Sequence, residues 1–260
     1  MKTVKKLLTI WLVVCMCFGF VGCSFSFKDH PLPDYRFTYG DFRCCYVTSA
    51  TSNMAVKKED AVGVNVLEFV GDRKKWERVV IPETIDGLPV ISIGMAGIGW
   101  RDTLEGYFDK IYVPVTLQHF CPYNIFWNRT IFLMDKKDDE LMENRKIFIN
   151  RCLDATWGAK FVVFESMYDW YQEFVPESSS LVIANLTYIV DGVEYWMDDC
   201  ADGESIVFPD DPIKEGFIFG GWYKDNSYIE KWNIETDKYI KNEDLASVKL
   251  YGKFVGNLDF

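Results

Sequence analysis

Short runs rich in β-branched and aromatic residues recur along most of the chain, each bounded by turn or charged residues. Such runs are typical of β-strands. Helical patterns are few: residues 166–174 predict a short amphipathic helix, and residues 135–145 predict a charged exposed turn or helix. We therefore expect a mainly β protein. The predicted strands of its first part are VNVLEFV (64–70), RVVIP (78–82), PVISIG (89–94), KIYVPVTL (110–117), TIFLM (130–134), KIFIN (146–150) and KFVVFE (160–165).

The N-terminus has the pattern of an export signal. Residues 1–6 are basic, and residues 7–22 form an uncharged apolar run of 16 residues, which is short for a membrane span of about 20 residues. The stretch Phe20-Val21-Gly22-Cys23 resembles the lipobox of bacterial lipoproteins, although Phe20 stands where Leu is usual. This resemblance implies cleavage after residue 22 and acylation of Cys23. The alternatives are an uncleaved membrane anchor and a simple secreted signal, and each also exports the protein.

Composition divides the rest of the chain into three parts. Residues 23–36 are a polar tether stiffened by Pro31 and Pro33. Residues 37–180 form a first β-rich domain, and a second begins at residue 181, after a serine run. We expect residues 181–260 to fold alone, with few contacts to the first domain.

Two near-copies of one strand indicate a repeat. Val79-Val80-Ile81-Pro82 and Ile111-Tyr112-Val113-Pro114 lie 32 residues apart, and residues 162–165 resemble a degraded third copy. A strand that ends in Pro suits one rung of a solenoid, in which stacked rungs bury each other's apolar faces. We take Ile81 and Ile111 as equivalent, buried core positions of these rungs.

The segment between the copies, VVIPETIDGLPVISIG (79–94), resembles the BspA-type leucine-rich repeat. Asp86-Gly87 supplies its tight turn, and the residues from Val90 begin the next strand. Met95-Ala96-Gly97-Ile98 departs from the Ala-Phe pair that the family has next. The resemblance covers about residues 37–185 and implies a short, irregular leucine-rich-repeat solenoid. The alternative is an ordinary β-sandwich with a chance turn.

The second domain opens with two predicted strands around Asp191-Gly192, a strong hairpin signal. Residues 216–225, GFIFGGWYKD, resemble the hallmark of the internalin B-repeat, also called the Listeria–Bacteroides repeat. Residues 231–234 and 250–254 match two further elements of that family. The resemblance covers about residues 186–255 and implies a small β-grasp-like fold. Its structural residues are Gly216, Phe219 and Trp222, with Trp222 filling the core; an unrelated hairpin is the alternative.

Charge and cysteine content exclude some functions. The formal net charge is -11, and it is -14 without residues 1–22, which carry three lysines. A nucleic-acid partner is not expected, because phosphate binding needs clustered Lys and Arg. Five cysteines follow Cys23 with no CxxC or His pairing that frames a metal site. We expect mostly buried free thiols, with one disulfide as the alternative.

No constellation of residues indicates catalysis. The two histidines are His30, in the tether, and His119, which has no evident third partner beyond Cys121. Adjacent acids such as Asp198-Asp199 and Asp210-Asp211 are more typical of a solvated surface than of glycosidase carboxylates or calcium ligands. We expect no catalytic, cofactor or metal site, and therefore no enzyme.

The two resemblances imply a function in binding. We expect a protein anchored at the bacterial cell surface through lipidated Cys23, which recognises a protein or glycan on host or neighbouring cells through its repeat domain, as adhesins do. One alternative is a structural, self-associating spacer of the envelope, favoured by an exposed strand edge in residues 181–255. Another is a glycan-active hydrolase.

Overall fold

A computed structural model describes residues 36–52, 54–70, 78–94, 109–120, 129–136, 141–152, 159–175, 180–233, 235–241 and 247–256. The predicted signal segment and Cys23 lie outside these ranges. Within them, no helix is both long and apolar enough to cross a membrane. The strands are β1 (Arg36–Tyr39), β2 (Phe42–Val47), β3 (Gly63–Phe69), β4 (Arg78–Val80), β5 (Thr84–Ile85), β6 (Leu88–Ile93), β7 (Lys110–Val113), β8 (His119–Phe120), β9 (Thr130–Leu133), β10 (Lys160–Val163), β11 (Ser180–Ile183), β12 (Leu186–Val190), β13 (Val193–Asp198), β14 (Phe217–Tyr223) and β15 (Val248–Gly256), and the α-helices are α1 (Met142–Cys152) and α2 (Tyr168–Gln172).

The chain is mainly β, as predicted, and the strands of the described residues form three sheets. In the five-stranded sheet, β4, β7, β9, β10 and β11 are all parallel and are neighbours in chain order. Their starts are separated by 32, 20, 30 and 20 residues, so rung length is irregular. We call this sheet the ladder. Its register places one residue of each strand side by side in a buried apolar row: Val79, Ile111, Ile131, Phe161 and the half-buried Leu181.

The two isoleucines of the near-copies both lie in the core, but they are not equivalent. The register pairs Val79 with Ile111, so Ile81 corresponds to Val113 instead, and the equivalence assumed from the sequence is wrong. Ile81 and Ile111 are 3% and 0% exposed. Both are buried because side chains two positions apart along a strand point to the same face.

Truncating either isoleucine should destabilise the first domain. Ile81→Ala or Ile111→Ala should each lower the free energy of unfolding by about 2–5 kcal/mol, the usual cost of a cavity left by a buried aliphatic side chain. Chemical denaturation would measure it. Val80→Ala is the matched control, because Val80 lies between these rows on the opposite face and is 42% exposed. Losses below about 0.5 kcal/mol at both isoleucines would contradict their place in a stacked core.

The second sheet begins as an antiparallel meander of β1, β2 and β3 and continues with β6 and β8 parallel to β3. Its apolar residues join the same core as the ladder, for example Val66 and Ile93. Asp86 and Gly87 form the tight turn between β5 and β6, with φ of 54° and 80°. The turn predicted from Asp-Gly is therefore confirmed.

Residues 146–150, predicted as a strand, lie in helix α1, so that prediction is wrong. Arg145, Phe148 and Ile149 are buried while Ile147 is 39% exposed, which is the spacing of a helix face and not of a strand. Arg145 fixes the helix, because its guanidinium donates to both carboxylate oxygens of Asp135 at 2.7 and 2.9 Å and to the Pro114 carbonyl at 2.9 Å. The predicted helix at 166–174 is confirmed as α2.

The C-terminal residues form a four-stranded sheet in the order β13-β12-β15-β14. The central strands β12 and β15 are parallel, and the outer two pair antiparallel with them. The hairpin predicted at Asp191-Gly192 is confirmed, since these residues form its turn with φ of 50° and 79°. A separate apolar core gathers on one face of this sheet around Leu186, Tyr188 and Leu250.

The expectation of few contacts between the two domains is wrong. Strand β11, which contains the predicted boundary, pairs with β10 of the ladder. The ring of Trp196 stacks on that of Tyr112 with centroids 4.5 Å apart, and Met197 is buried in the core of the first domain. Asp198 accepts hydrogen bonds from Arg78, from Lys110 Nζ at 2.9 Å and from the Tyr112 hydroxyl at 3.2 Å. Strand β13 therefore joins the two domains through both apolar and charged contacts.

Three cysteines among the described residues, Cys44, Cys45 and Cys200, are buried, and Cys44 and Cys200 are free thiols, which agrees with the prediction of mostly buried free thiols. Burial raises the pKa of each from about 9.0 to about 12. Their contribution to stability is therefore complete below the unfolded-state pKa and is lost as pH rises from about 9 to about 12.

Two measurements check this pH dependence. Iodoacetamide at pH 8 should modify these three thiols only after denaturation, as peptide mass mapping would show. The melting temperature should fall progressively between pH 9 and pH 12. Rapid labelling of Cys44 or Cys200 in the native protein at pH 8 would contradict their burial.

Candidate binding site

The predicted core residues of the C-terminal sheet also build a cavity. Strand β14 carries a bulge where Gly220 and Gly221 meet β15, and Gly221 has a φ of 106°, which side-chain-bearing residues rarely adopt. A Cβ on Gly221 would lie 2.6 Å from Cε of Lys231. Because Gly221 has no side chain, the aliphatic part of the Lys231 side chain can pack against β14 at this residue.

This bulge opens a cavity of about 290 Å³. Two indoles, Trp222 and Trp232, line it, and the structure gives neither buried indole N–H an acceptor. The opposite charges of Asp211 and Lys231 flank these aromatic walls. We call this the indole pocket; its lining residues are Phe208, Asp211, Phe219, Gly220, Gly221, Trp222, Lys231 and Trp232.

A hydrogen-bonded loop holds two of these residues in place. The Asp225 carboxylate accepts backbone N–H groups of Glu230 and Ser227, both at 2.9 Å. The Glu230 bond is the first cause of a lowered pKa at Asp225, so the carboxylate stays ionised as an acceptor. After the loop, the backbone N–H of Trp232 donates to the Trp222 carbonyl at 2.8 Å. The second indole is thus tied directly to the first.

The charged side chains around the indole pocket are of both signs. Lys224 Nζ lies 5.4 Å from the ring centroid of Trp232 and 2.6 Å from Glu230 Oε1, and its pKa is raised, first by that hydrogen bond. The lining contains one carboxylate, Asp211, and one ammonium, Lys231. Among the described residues no cluster of His, Cys, Asp or Glu could hold a metal ion. This arrangement of aromatic walls and a few polar groups is suited to binding a small ligand.

The structure brings together two of the residues singled out in the sequence. Phe219 and Trp222 both line the indole pocket, while Gly216 lies in the turn before β14 with a φ of 76°. Ile81, Asp86, Gly87 and Ile111 belong to the first domain. There Asp86 accepts a hydrogen bond from the Tyr46 hydroxyl, and its carboxylate lies 2.8 Å from Lys58 Nζ. These contacts stabilise the turn between β5 and β6.

Sequence reasoning missed the other polar and aromatic members of the pocket. The sequence assigns residues 231–234 to a family element and Asp211 to an acidic pair, but neither pattern predicts a site. Phe208 was not singled out. The available signal was the Gly-Gly pair before Trp222, which permits close approach of another segment without specifying which segment approaches.

A second exposed feature lies at the edge of the same sheet. Strand β14 is an outermost strand, and its Phe217 and Ile218 are 47% and 56% exposed. Ile218 is opposite Val255 of β15, which is also exposed. Natural proteins usually protect such edges with charges or Pro, and neither occurs within β14.

Comparison with known proteins concerns this C-terminal part. Residues 185–252, about a quarter of the chain, match the family model of the Listeria-Bacteroides repeat domain. The resemblance found in residues 186–255 is thereby confirmed for that segment. A search of curated proteins finds no match.

Proposed function

We propose that this chain is an exported, surface-associated protein that acts by binding, with its C-terminal repeat domain as the binding module. The observation that carries the proposal is the indole pocket, which lies within the segment matched by the Listeria-Bacteroides repeat model. That domain is typical of surface proteins. A surface location and a preformed pocket together support an adhesin-like role in recognising a protein or glycan.

For the first domain we propose a short leucine-rich-repeat solenoid that serves as a rigid support. The ladder supports this, because its strands are parallel and follow one another across the sheet in chain order, as in stacked repeats. We expected the solenoid face to bind the ligand. However, Trp196 stacks on Tyr112 of that sheet, so part of the face is already covered. The indole pocket is therefore the better candidate.

Binding by the mature chain without its lipidated cysteine, residues 24–260, tests the proposal. We expect saturable binding to at least one component of arrays that carry host matrix proteins and glycans, and strong loss of it in Trp232→Ala. Circular dichroism should show that the variant remains folded. Absence of any ligand on both arrays, or full binding by a folded Trp232→Ala variant, would contradict a binding function at this pocket.

Surface attachment through Cys23 has its own test. In the proposed arrangement residues 1–22 are removed and Cys23 is acylated. Cys23→Ser should abolish labelling by radioactive palmitate and change the membrane fractionation of the protein. Cys121→Ser is the matched control, because it removes a thiol outside the signal. Unchanged labelling and fractionation of Cys23→Ser would rule out this lipid anchor.

Self-association is a second candidate function, favoured by the exposed edge of β14. Two such edges could pair across chains and bury Phe217 and Ile218. Light scattering should then detect oligomers of the mature chain that Ile218→Lys dissociates. Ile213→Lys is the control, since Ile213 is 99% exposed but lies outside the strand. A monomeric wild-type chain at high micromolar concentration would contradict this candidate.

A further inference from the structure

We infer that the indole pocket binds a neutral saccharide, as one or two pyranose rings of a longer glycan. The inference rests on the proposed function, because it names the ligand class of the binding module. Three properties of the pocket carry it: its aromatic walls, its two charged side chains and its size.

The walls match the apolar faces of a sugar ring. Two indoles and the rings of Phe208 and Phe219 line the pocket. The C–H groups of a pyranose form flat apolar patches that lie well against such rings, whereas its hydroxyl groups point outward around the edge. Trp and Phe supply large contact areas with little loss of side-chain entropy. The aromatic surface therefore suits a ring with apolar faces and a polar edge.

The polar groups match hydroxyl groups, which both donate and accept. Asp211 offers acceptor oxygens and Lys231 offers donors. A purely apolar ligand would use neither of these two charged side chains.

Charge balance selects a neutral ligand. The lining contains one carboxylate and one ammonium, so neither an anionic nor a cationic ligand finds a net opposite charge there. A phosphorylated or sialylated glycan would place its charge against Asp211 as well as Lys231. A neutral hexose would hydrogen-bond to both groups without such repulsion.

Size and surroundings favour a ring over an extended peptide. The cavity of about 290 Å³ is at the lower end of small-molecule pockets, which span about 300–1,000 Å³. A peptide added along β14 would need its open edge, but Tyr223 at the end of that strand already pairs with Lys231. The small volume and this bridge therefore leave little room for an extended peptide.

Titration of the mature chain with glucose, galactose, mannose, N-acetylglucosamine and their disaccharides tests the inference. Saturation-transfer NMR should show ring protons of at least one sugar in contact with the protein, and isothermal titration calorimetry should give its Kd. Asp211→Asn and Lys231→Met should each weaken binding at least about tenfold, since each removes a charge-assisted hydrogen bond. Asp210→Asn is the matched control, with the same change one residue outside the lining, and it should bind like the wild type.

Several results would overturn the inference. One is absence of binding by every sugar when the wild-type chain binds a protein on the arrays, which leaves the proposed function intact. Stronger binding of sialylated or phosphorylated sugars than of neutral ones is another. Equal loss in Asp210→Asn and Asp211→Asn would place the site elsewhere. Displacement of a bound array protein by a Pro-rich peptide, and not by sugars, would assign the pocket to peptide recognition.

Discussion

Replacing Trp222 with alanine is expected to lower the free energy of unfolding of the C-terminal domain by about 3–5 kcal/mol, the usual cost of deleting a buried aromatic side chain. Trp222 is 5% exposed. Its ring contacts those of Tyr188 and Phe219, with centroids 5.0 and 5.1 Å apart. It also covers Gly252, where an added Cβ would lie 3.0 Å from the indole. No neighbouring side chain can fill so large a space.

Denaturant titration, followed by the intrinsic fluorescence of the remaining tryptophans, measures this effect. Trp222→Phe is the matched control, because it keeps an aromatic ring and should lose clearly less stability than Trp222→Ala. The alanine variant should also lose binding at the indole pocket, of which Trp222 forms a wall. A destabilisation below about 1 kcal/mol would show that the ring is not a core residue.

The features that could be predicted from the sequence are those set by local chemistry. Asp191-Gly192 and Asp86-Gly87 form turns because residues of these types tolerate positive φ, and both have it. The large aromatic ring of Trp222 predicts that it fills the C-terminal core, and the structure places Trp222 in that core with Phe219 packed against it. Strands of the ladder were found because each is a compact apolar run bounded by polar residues.

Features that depend on distant partners could not be predicted. Residues 146–150 contain two isoleucines and a phenylalanine, which favour a strand locally. Their helix is instead fixed by Arg145, whose partner Asp135 lies ten residues earlier, so tertiary contacts override propensity. The indole pocket likewise needs a loop to return Lys231 to Gly221, and sequence spacing alone does not give that approach.

The contact between the two domains was missed for the same reason, and it leads to the second large effect. Asp198 looked like half of an exposed acidic pair, yet its side chain is 2% exposed. Its cationic partners come from two neighbouring strands of the ladder, Arg78 and Lys110, which the register places side by side. Burial alone would lower the pKa of Lys110, but the charge and the hydrogen bond of Asp198, together with the charge of Glu204, outweigh burial, and the pKa is raised.

Asp198→Ala should therefore destabilise the protein by about 3–5 kcal/mol, because it removes the carboxylate that both largely buried cations contact. Asp199→Ala is the matched control. Asp199 pairs with Lys160, which is 38% exposed, and partly exposed pairs contribute about 0–1 kcal/mol. Thermal unfolding by calorimetry would give both values. Equal losses of stability in Asp198→Ala and Asp199→Ala would contradict the larger contribution that we assign to Asp198.

The same substitution tests whether the two domains unfold together. With Asp198 and the Trp196–Tyr112 stack in place, the wild-type chain should show one cooperative transition. Asp198→Ala should separate it into two, since the charged half of the contact is lost. A double-mutant cycle with Lys110→Met should give a coupling energy above about 1 kcal/mol, as expected for residues in direct contact. Coupling near zero, with two transitions already in the wild type, would mean that the two domains unfold independently. The contacts of strand β13 would then not couple the stability of the ladder to that of the C-terminal sheet.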